Sequence, residues 1–586
     1  MIKLFKNFTK KDIVLVLIIA SLVVFSVFLD LRMPEYMSRI TVLVQTEDST
    51  MKEILTAGGY MILCAVGSLI CTICVGFCTS LLSARFTRTI RRKIFGKVED
   101  FGIAEIKKFS TSSLITRTTN DVTQIEMLIS MGLQMLVKAP VMAVWALMKI
   151  LGKSGELSLI TGTGVVIIVV TNLFIISRVS PRFAKIQKMT DKINGVTREN
   201  LTGIRVVHAF NAEEFMQKRF GQVNEEITGT HLVIQKTFAL MDPIMNFVMH
   251  FQHLGIYFVG AYIIAKSGMM DKITMFSNMV VFSSYGMQVI MSFLMLTMIF
   301  MVLPRAQISA KRINEVLDSE VSIKSGSFDG ETLDKGVVEF KNVSFKYPDA
   351  DEYLLKNISF KAEQGETIAF IGSTGSGKST LINLVPRLYD ATDGEVLVDG
   401  VNVKEYDLKA LNNKIGYIPQ TAVMFTGTVE ENVSYGDNGK EKPSLEKVKE
   451  AIKVAQGTDF VEKMDDKYAS HIARGGTNIS GGQKQRLSIA RAIARDPEIY
   501  IFDDSFSALD YQTDAKLRKE LKKYTKDATS MIVAQRIGTI MNADKIIVLD
   551  KGECVGIGTH KELLKTCEVY KEIALSQLSE EELNNA

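Results

Sequence analysis

Residues 367–385 read TIAFIGSTGSGKSTLINLV. Thr367–Ile371 is a short apolar run suited to a buried strand, and LINLV opens a helical stretch. Between them stands G-x-x-x-x-G-K-[ST], in the strand-to-helix setting that the motif requires. Gly372, Gly375 and Gly377 let the backbone N–H groups of Ser373, Thr374 and Ser376 wrap a phosphate chain. The helix that begins beside Thr380 adds a favourable dipole for an anion. Lys378 is spaced to reach β- and γ-phosphates, and the Ser379 hydroxyl to bind Mg²⁺.

The flanking sequence builds a domain around this loop. VVEFKNVSFKY from residue 337 alternates like a strand, and NISF ahead of the loop gives another. Downstream, Ile499-Tyr-Ile-Phe-Asp503 puts four apolar residues before a carboxylate, as in a buried parallel strand whose Asp emerges at its C-terminal end. There Asp503 can hold Mg²⁺ through water. The two elements define a P-loop nucleoside triphosphatase.

Before about residue 305 the composition differs. The chain has 586 residues, too many for one compact domain, and 47% hydrophobic content concentrated in its first half. Six stretches are long enough to cross a bilayer: near 13–33, 55–83, 124–148, 157–177, 238–265 and 275–303. The first follows Lys3, Lys6, Lys10 and Lys11, is too long for a cleavable signal core, and has further spans behind it. Basic segments at 85–93 and 178–236 place those loops, both termini and the nucleotide domain in the cytoplasm. Helical spacing of Ile186, Met189, Ile193 and Val196 extends the fourth span into a stalk, with loop tips near 105–115 and 207–215. The net charge of +4 gives no global field for nucleic acid. The expected division is a six-helix membrane domain at 1–315, a linker at 316–335, an α/β nucleotide domain at 336–575 and a polar tail at 576–586.

Some residues in the first half admit two readings. Cys71, Cys74 and Cys78 share a helical face, which suits either packing or a metal. Asp30, Arg32 and Asp242 suit membrane interfaces, whereas His250, Gln252, His253 and Gln288 suit either packing or a central cavity. Met287, Met291, Met295, Met298 and Met301 recur along the sixth span, as packing or as an adaptable substrate wall. His560 is expected to face solvent.

Asn478-Ile-Ser480-Gly481-Gly482-Gln483 resembles the signature of ABC transporters and lies just before the Asp503 strand, where that superfamily carries it. Tyr347 matches the family's adenine-stacking aromatic. Gln420 matches its glutamine loop, a metal and water ligand, and Asp510 matches the loop that crosses the dimer interface. RENLTGIRVVHAF (198–210) and PRAQISAKRINEVLD (304–318) resemble the exporter pattern. The resemblance implies a half-transporter that binds ATP and Mg²⁺. Two halves would sandwich two ATPs, each P-loop facing the other subunit's signature.

Two positions depart from that pattern. Asp504 stands where active members carry a Glu that activates water, and Gln535 stands where they carry a switch histidine. A positioned general base is worth ~10²–10⁴ in rate. A site so altered is expected to bind ATP and hydrolyse it slowly, while the intact signature serves another site. This resembles the degenerate subunit of bacterial heterodimeric multidrug exporters, implying a second half-transporter as partner and hydrophobic drugs or lipids as cargo. A slowly hydrolysing homodimer, a nucleotide-gated channel and a regulatory subunit are the other readings.

Overall fold

The computed structural model describes residues 1–46, 49–151, 155–266 and 268–578, without the side chains of 2, 183, 184, 187, 269–271, 300 and 301. Most of the expected polar tail, and the Met301 side chain, thus lie outside the described residues. The chain forms two compact units: residues 1–99 with 111–319, and residues 100–110 with 320–586.

The first unit is all helix. Its elements are α1 (Ile2–Phe5), α2 (Lys10–Gln45), α3 (Met51–Glu99), then, past α4 (Ile103–Phe109) of the second unit, α5 (Thr111–Thr118), α6 (Asn120–Met127), α7 (Leu133–Ile150), α8 (Gly155–Thr202), α9 (Ile204–Ala209), α10 (Glu213–Ala239), α11 (Met241–Lys266) and α12 (Met269–Leu317). Among the described residues, six helical stretches are long and apolar enough to cross a membrane. A Thr9 capping box starts α2: Thr9 Oγ1 accepts from Asp12 N, and the Asp12 carboxylate accepts from Thr9 N. Several helices far outrun a bilayer. At 1.5 Å per residue, the 49 residues of α3 span about 74 Å. Their large side chains are exposed along the apolar runs, Phe77 at 72% and Phe258 at 79%, as surfaces made for lipid.

Two carboxylates of α2 are paired with cations. Asp30 lies 3.3 Å from Lys138, and Glu35 lies 2.6 Å from Lys149 and 2.8 Å from Arg32. Gln252 is 2% exposed and lies against Gly286 and Gly164, with neither amide atom hydrogen-bonded among the described residues. His250 is exposed and His253 half-buried beside Tyr257. Met287, Met291 and Met298 form an exposed stripe on α12 at helical spacing.

The second unit is α/β, as the sequence implied. Its main sheet has the order β12-β11-β3-β10-β9-β6, built from β3 (Thr367–Gly372), β6 (Ile415–Ile418), β9 (Ile499–Asp503), β10 (Thr529–Val533), β11 (Lys545–Asp550) and β12 (Glu553–Gly558). All neighbours are parallel except β11 and β12. A second, antiparallel sheet has the order β2-β1-β4-β5: β1 (Val338–Phe345), β2 (Leu355–Ala362), β4 (Asp393–Val398) and β5 (Val401–Asn402). A short pair, β7 (Gly427–Thr428) and β8 (His471–Ile472), completes the strands among the described residues. Val338, Phe340, Phe370, Ile501 and Met531 are among the buried residues joining the two larger sheets in one core. α4 belongs here, its Ile103 and Ala104 packing on that core.

His560 is not at the surface. It is 4% exposed, with Nδ1 2.6 Å from the Tyr570 hydroxyl. It opens a helix capped by Thr559, and burial holds its pKa below the usual histidine value.

Candidate functional site

Four parallel strands deliver the site. The C-terminal ends of β3, β6, β9 and β10 lie side by side, with Val533 in register with Asp503 and Phe370, and Ile418 with Phe502. Past these ends come the Gly372–Thr380 loop, Gln420, Asp503 with Asp504, and Gln535. Ligands of parallel α/β sheets bind at this edge. A cleft of about 540 Å³ is lined by Gly372, Ser373, Thr374, Gly375, Gly377, Lys378, Ser379, Thr380, Gln420, Asp504 and Gln535.

Gly377 needs to be glycine. Its φ is +94°, and a Cβ there would meet Leu355 at 2.6 Å. Lys378 Nζ donates to Gly372 O and Ser373 O at 2.8 Å and approaches Ser376 Oγ at 3.4 Å, so the ammonium sits inside the loop's curve. Burial lowers its pKa against the pull of Asp504 and Asp503. Ser379 Oγ donates to Asp503 Oδ1 at 2.6 Å. A hydroxyl and a carboxylate in contact, with Gln420 nearby, form an all-oxygen donor set that fits Mg²⁺.

Asp504 is the most constrained residue of the group. Its φ is +47°, and its N–H donates to Val533 O at 3.0 Å. Its Oδ2 accepts from Gln535 Nε2 at 2.7 Å and from Gln420 Nε2 at 3.3 Å. Burial nevertheless pushes its carboxyl above the usual range.

The four signature residues Ser480–Gln483, Asp510 and Tyr347 are outside the cleft's lining. Ser480 caps the helix Gly481–Arg495 in a reciprocal box with Gln483, with Ser480 and Gly481 exposed and Gly482 half-buried. Asp510 caps the helix Tyr511–Tyr524 through Thr513 N at 2.9 Å. Neither lines the cleft. Tyr347 donates or accepts a 2.9 Å bond with Thr380 and packs edge-on against Tyr389. Gly475 and Gly476 both have positive φ, forming a tight turn before the signature.

Sequence reasoning missed several neighbours. Gln577 accepts from Ile537 N and donates to Gln535 O, both at 2.8 Å, clamping the Gln535 loop. Lys107 Nζ lies 5.0 Å from the Tyr347 ring centre. Nothing local marks either one; only the fold brings them near.

These two units are the transmembrane and nucleotide-binding parts of a membrane transport ATPase. The ABC transporter transmembrane-region family matches residues 16–305, and the ABC transporter family matches 355–507. The chain is 40% identical over 524 residues to an uncharacterized ABC transporter ATP-binding protein of Mycobacterium tuberculosis, covering 89% of this chain and 87% of that one. It is 32% identical over 526 residues to the ATP-dependent lipid A-core flippase of Escherichia coli, covering 89% and 88%. A bacterial Atm1-family ABC exporter with ATP bound shares the fold, with TM-score 0.80, 21% identity and coverage of 97% and 99%. The chain therefore belongs to the ABC transporter family and is a multi-pass membrane protein whose ATPase domain binds ATP.

Proposed function

We propose that the protein is one half of an ATP-driven exporter that moves hydrophobic compounds, drugs or lipids, out of the bacterial cytoplasm. It works with a second half-transporter, a heterodimer being favoured. Its own site binds ATP and Mg²⁺ but hydrolyses slowly, and Ser480–Gln483 complete the partner's site. The carrying observation is the Gln535–Asp504 bond of 2.7 Å. The side chain at the switch position is spent on the carboxylate at the base position. That carboxylate is one methylene shorter than Glu and holds two amide donors.

Ser379, Asp503 and Gln420 would hold Mg²⁺, which supplies charge neutralisation at the phosphates. Lys378 and the loop N–H groups would bind the β- and γ-phosphates, and Tyr347 would stack on adenine. Two further features support the reading. Ser480 and Gly481 of the signature are exposed and outside its own cleft, as groups offered to another subunit would be. The α9 region presents Val206 (60% exposed), Phe210 (77%) and Phe215 (65%), apolar surface suited to a partner. The exposed methionine stripe on α12 suits varied apolar cargo. The lipid A-core flippase of Escherichia coli, a relative over most of the chain, favours lipid among the cargo classes.

The test is ATPase activity of the purified chain, alone and with a co-expressed candidate partner half. Little turnover alone and strong turnover together is the expected result. Strong turnover alone would replace the heterodimer with a homodimer in which Asp504 and Gln535 suffice.

A further inference from the structure

Helix α1 is pinned to α3 by its apolar side. Leu4 is fully buried, and the Phe5 and Phe8 rings meet Phe86 with centroids 6.0 and 4.7 Å apart. Lys93 Nζ donates to Asn7 Oδ1 at 2.7 Å. These contacts set the base of α2 and the emerging end of the α3 apolar run at one level. Two basic segments far apart in sequence therefore form one collar. Lys6, Lys10 and Lys11 are exposed on the first, and Arg85, Arg88 and Arg92 on the second. The arginine spacing of three and four residues keeps them on one face of α3.

The collar borders lipid-facing surface. Immediately after Lys11, Ile13 is 51% exposed, Val14 55% and Leu17 62%. On α3, Ile73 (62%) and Phe77 (72%) stand on the face that carries Arg88 about three turns later. The neighbouring carboxylates are engaged elsewhere. Asp12 is buried and accepts from Thr9, Glu126 pairs with Arg91, and Asp318 pairs with Lys3. Among the described residues, no carboxylate forms an ion pair with the six collar cations.

We propose that this collar is a binding site for the headgroups of anionic phospholipids in the adjoining leaflet. Its occupancy supports ATPase activity, because Lys3 on α1 bonds Asp318, the residue that closes α12, at 2.6 Å. The second clause rests on the proposed transport function; the first does not.

The test uses the full chain in zwitterionic detergent, titrated with phosphatidylglycerol or phosphatidylcholine, with bound lipids counted by native mass spectrometry. A variant carrying Lys6→Gln, Lys10→Gln, Lys11→Gln and Arg88→Gln is run in parallel, its fold checked by gel filtration. Preference for phosphatidylglycerol in the native chain, falling with salt and by about fivefold per cation removed, is the expected result. Equal retention by both chains would overturn the site. So would displacement by 10 mM inorganic phosphate, which would make it a free-phosphate site. ATPase of the chain together with its co-expressed partner half, in nanodiscs of the two lipids, is the second arm. Lipid-independent turnover overturns the coupling, while absence of turnover in every lipid overturns the transport reading and leaves the lipid count as the test of the collar.

Discussion

Gln535 donates its side-chain amide to Asp504 Oδ2 at 2.7 Å, and Gln420 reaches the same oxygen at 3.3 Å. Two N–H donors on one oxygen stabilise the carboxylate's charge and weaken it as a base toward water. A Gln in place of a switch histidine also brings no titratable ring to the γ-phosphate. Restoring both groups, Asp504→Glu with Gln535→His, should raise the chain's own turnover by roughly 10²-fold, the low end of what a positioned base supplies. Steady-state ATPase of the purified chain measures it, and unchanged turnover would show that the slow step lies elsewhere.

Ser480→Ala separates a signature in use from one that is idle. Ser480 is exposed, and its side chain caps its helix through Gln483 N at 3.3 Å. Losing the cap costs about 1 kcal/mol, a small effect on a domain of this size. Partner-dependent ATPase should nonetheless fall to background if the hydroxyl completes the partner's site. Thermal unfolding of the variant, shifted by only a few degrees, would show that the loss is not one of folding. Retained activity would remove the signature from the working site.

The nucleotide cleft was legible because its chemistry is local. Gly372–Thr380 is a contiguous loop whose glycines, lysine and hydroxyls must stand in that order, and Asp503 ends a strand of four apolar residues. The six spans were legible from length and hydropathy alone. What escaped depends on side chains meeting across the fold. Nothing near Gln577 announces that it clamps the Gln535 loop, and nothing near Lys138 announces Asp30. His560 is expected to face solvent, but it is buried with Nδ1 against the Tyr570 hydroxyl. Residues 100–110 read as part of the helical half, yet they belong to the second unit, where Ile103 and Ala104 pack with the sheets.

The Asp30–Lys138 pair joins α2 to α7 at 3.3 Å, with side chains 15% and 18% exposed. Removing one partner strands a charge in an apolar setting, which costs about 3 kcal/mol. Lys138→Met should therefore lower the unfolding temperature of the detergent-solubilised protein. Adding Asp30→Asn should recover most of the loss, since the neutral pair no longer carries an unmatched charge. A double variant no more stable than the single one would show that the pair contributes through packing alone.

Lys414 provides a sharper case in the second unit. Its ammonium lies 2.8 Å from Asp399 and 2.9 Å from Glu498, with the Asp399 side chain fully buried. Burial lowers the lysine pKa, but the two carboxylates outweigh it and leave the value above the usual 10.5. A lysine whose folded pKa is raised lends stability that is complete below the unfolded value and lost only as pH climbs through the folded one. The contribution should thus be constant from pH 6 to about pH 9 and decline only above about pH 10. Lys414→Met leaves Asp399 buried and unpaired and should cost about 3–5 kcal/mol. Urea unfolding at pH 7 and pH 9 should give the same large difference between native and variant chains. A difference that already shrinks between those two pH values would mean that the ammonium is not held by this pair of carboxylates.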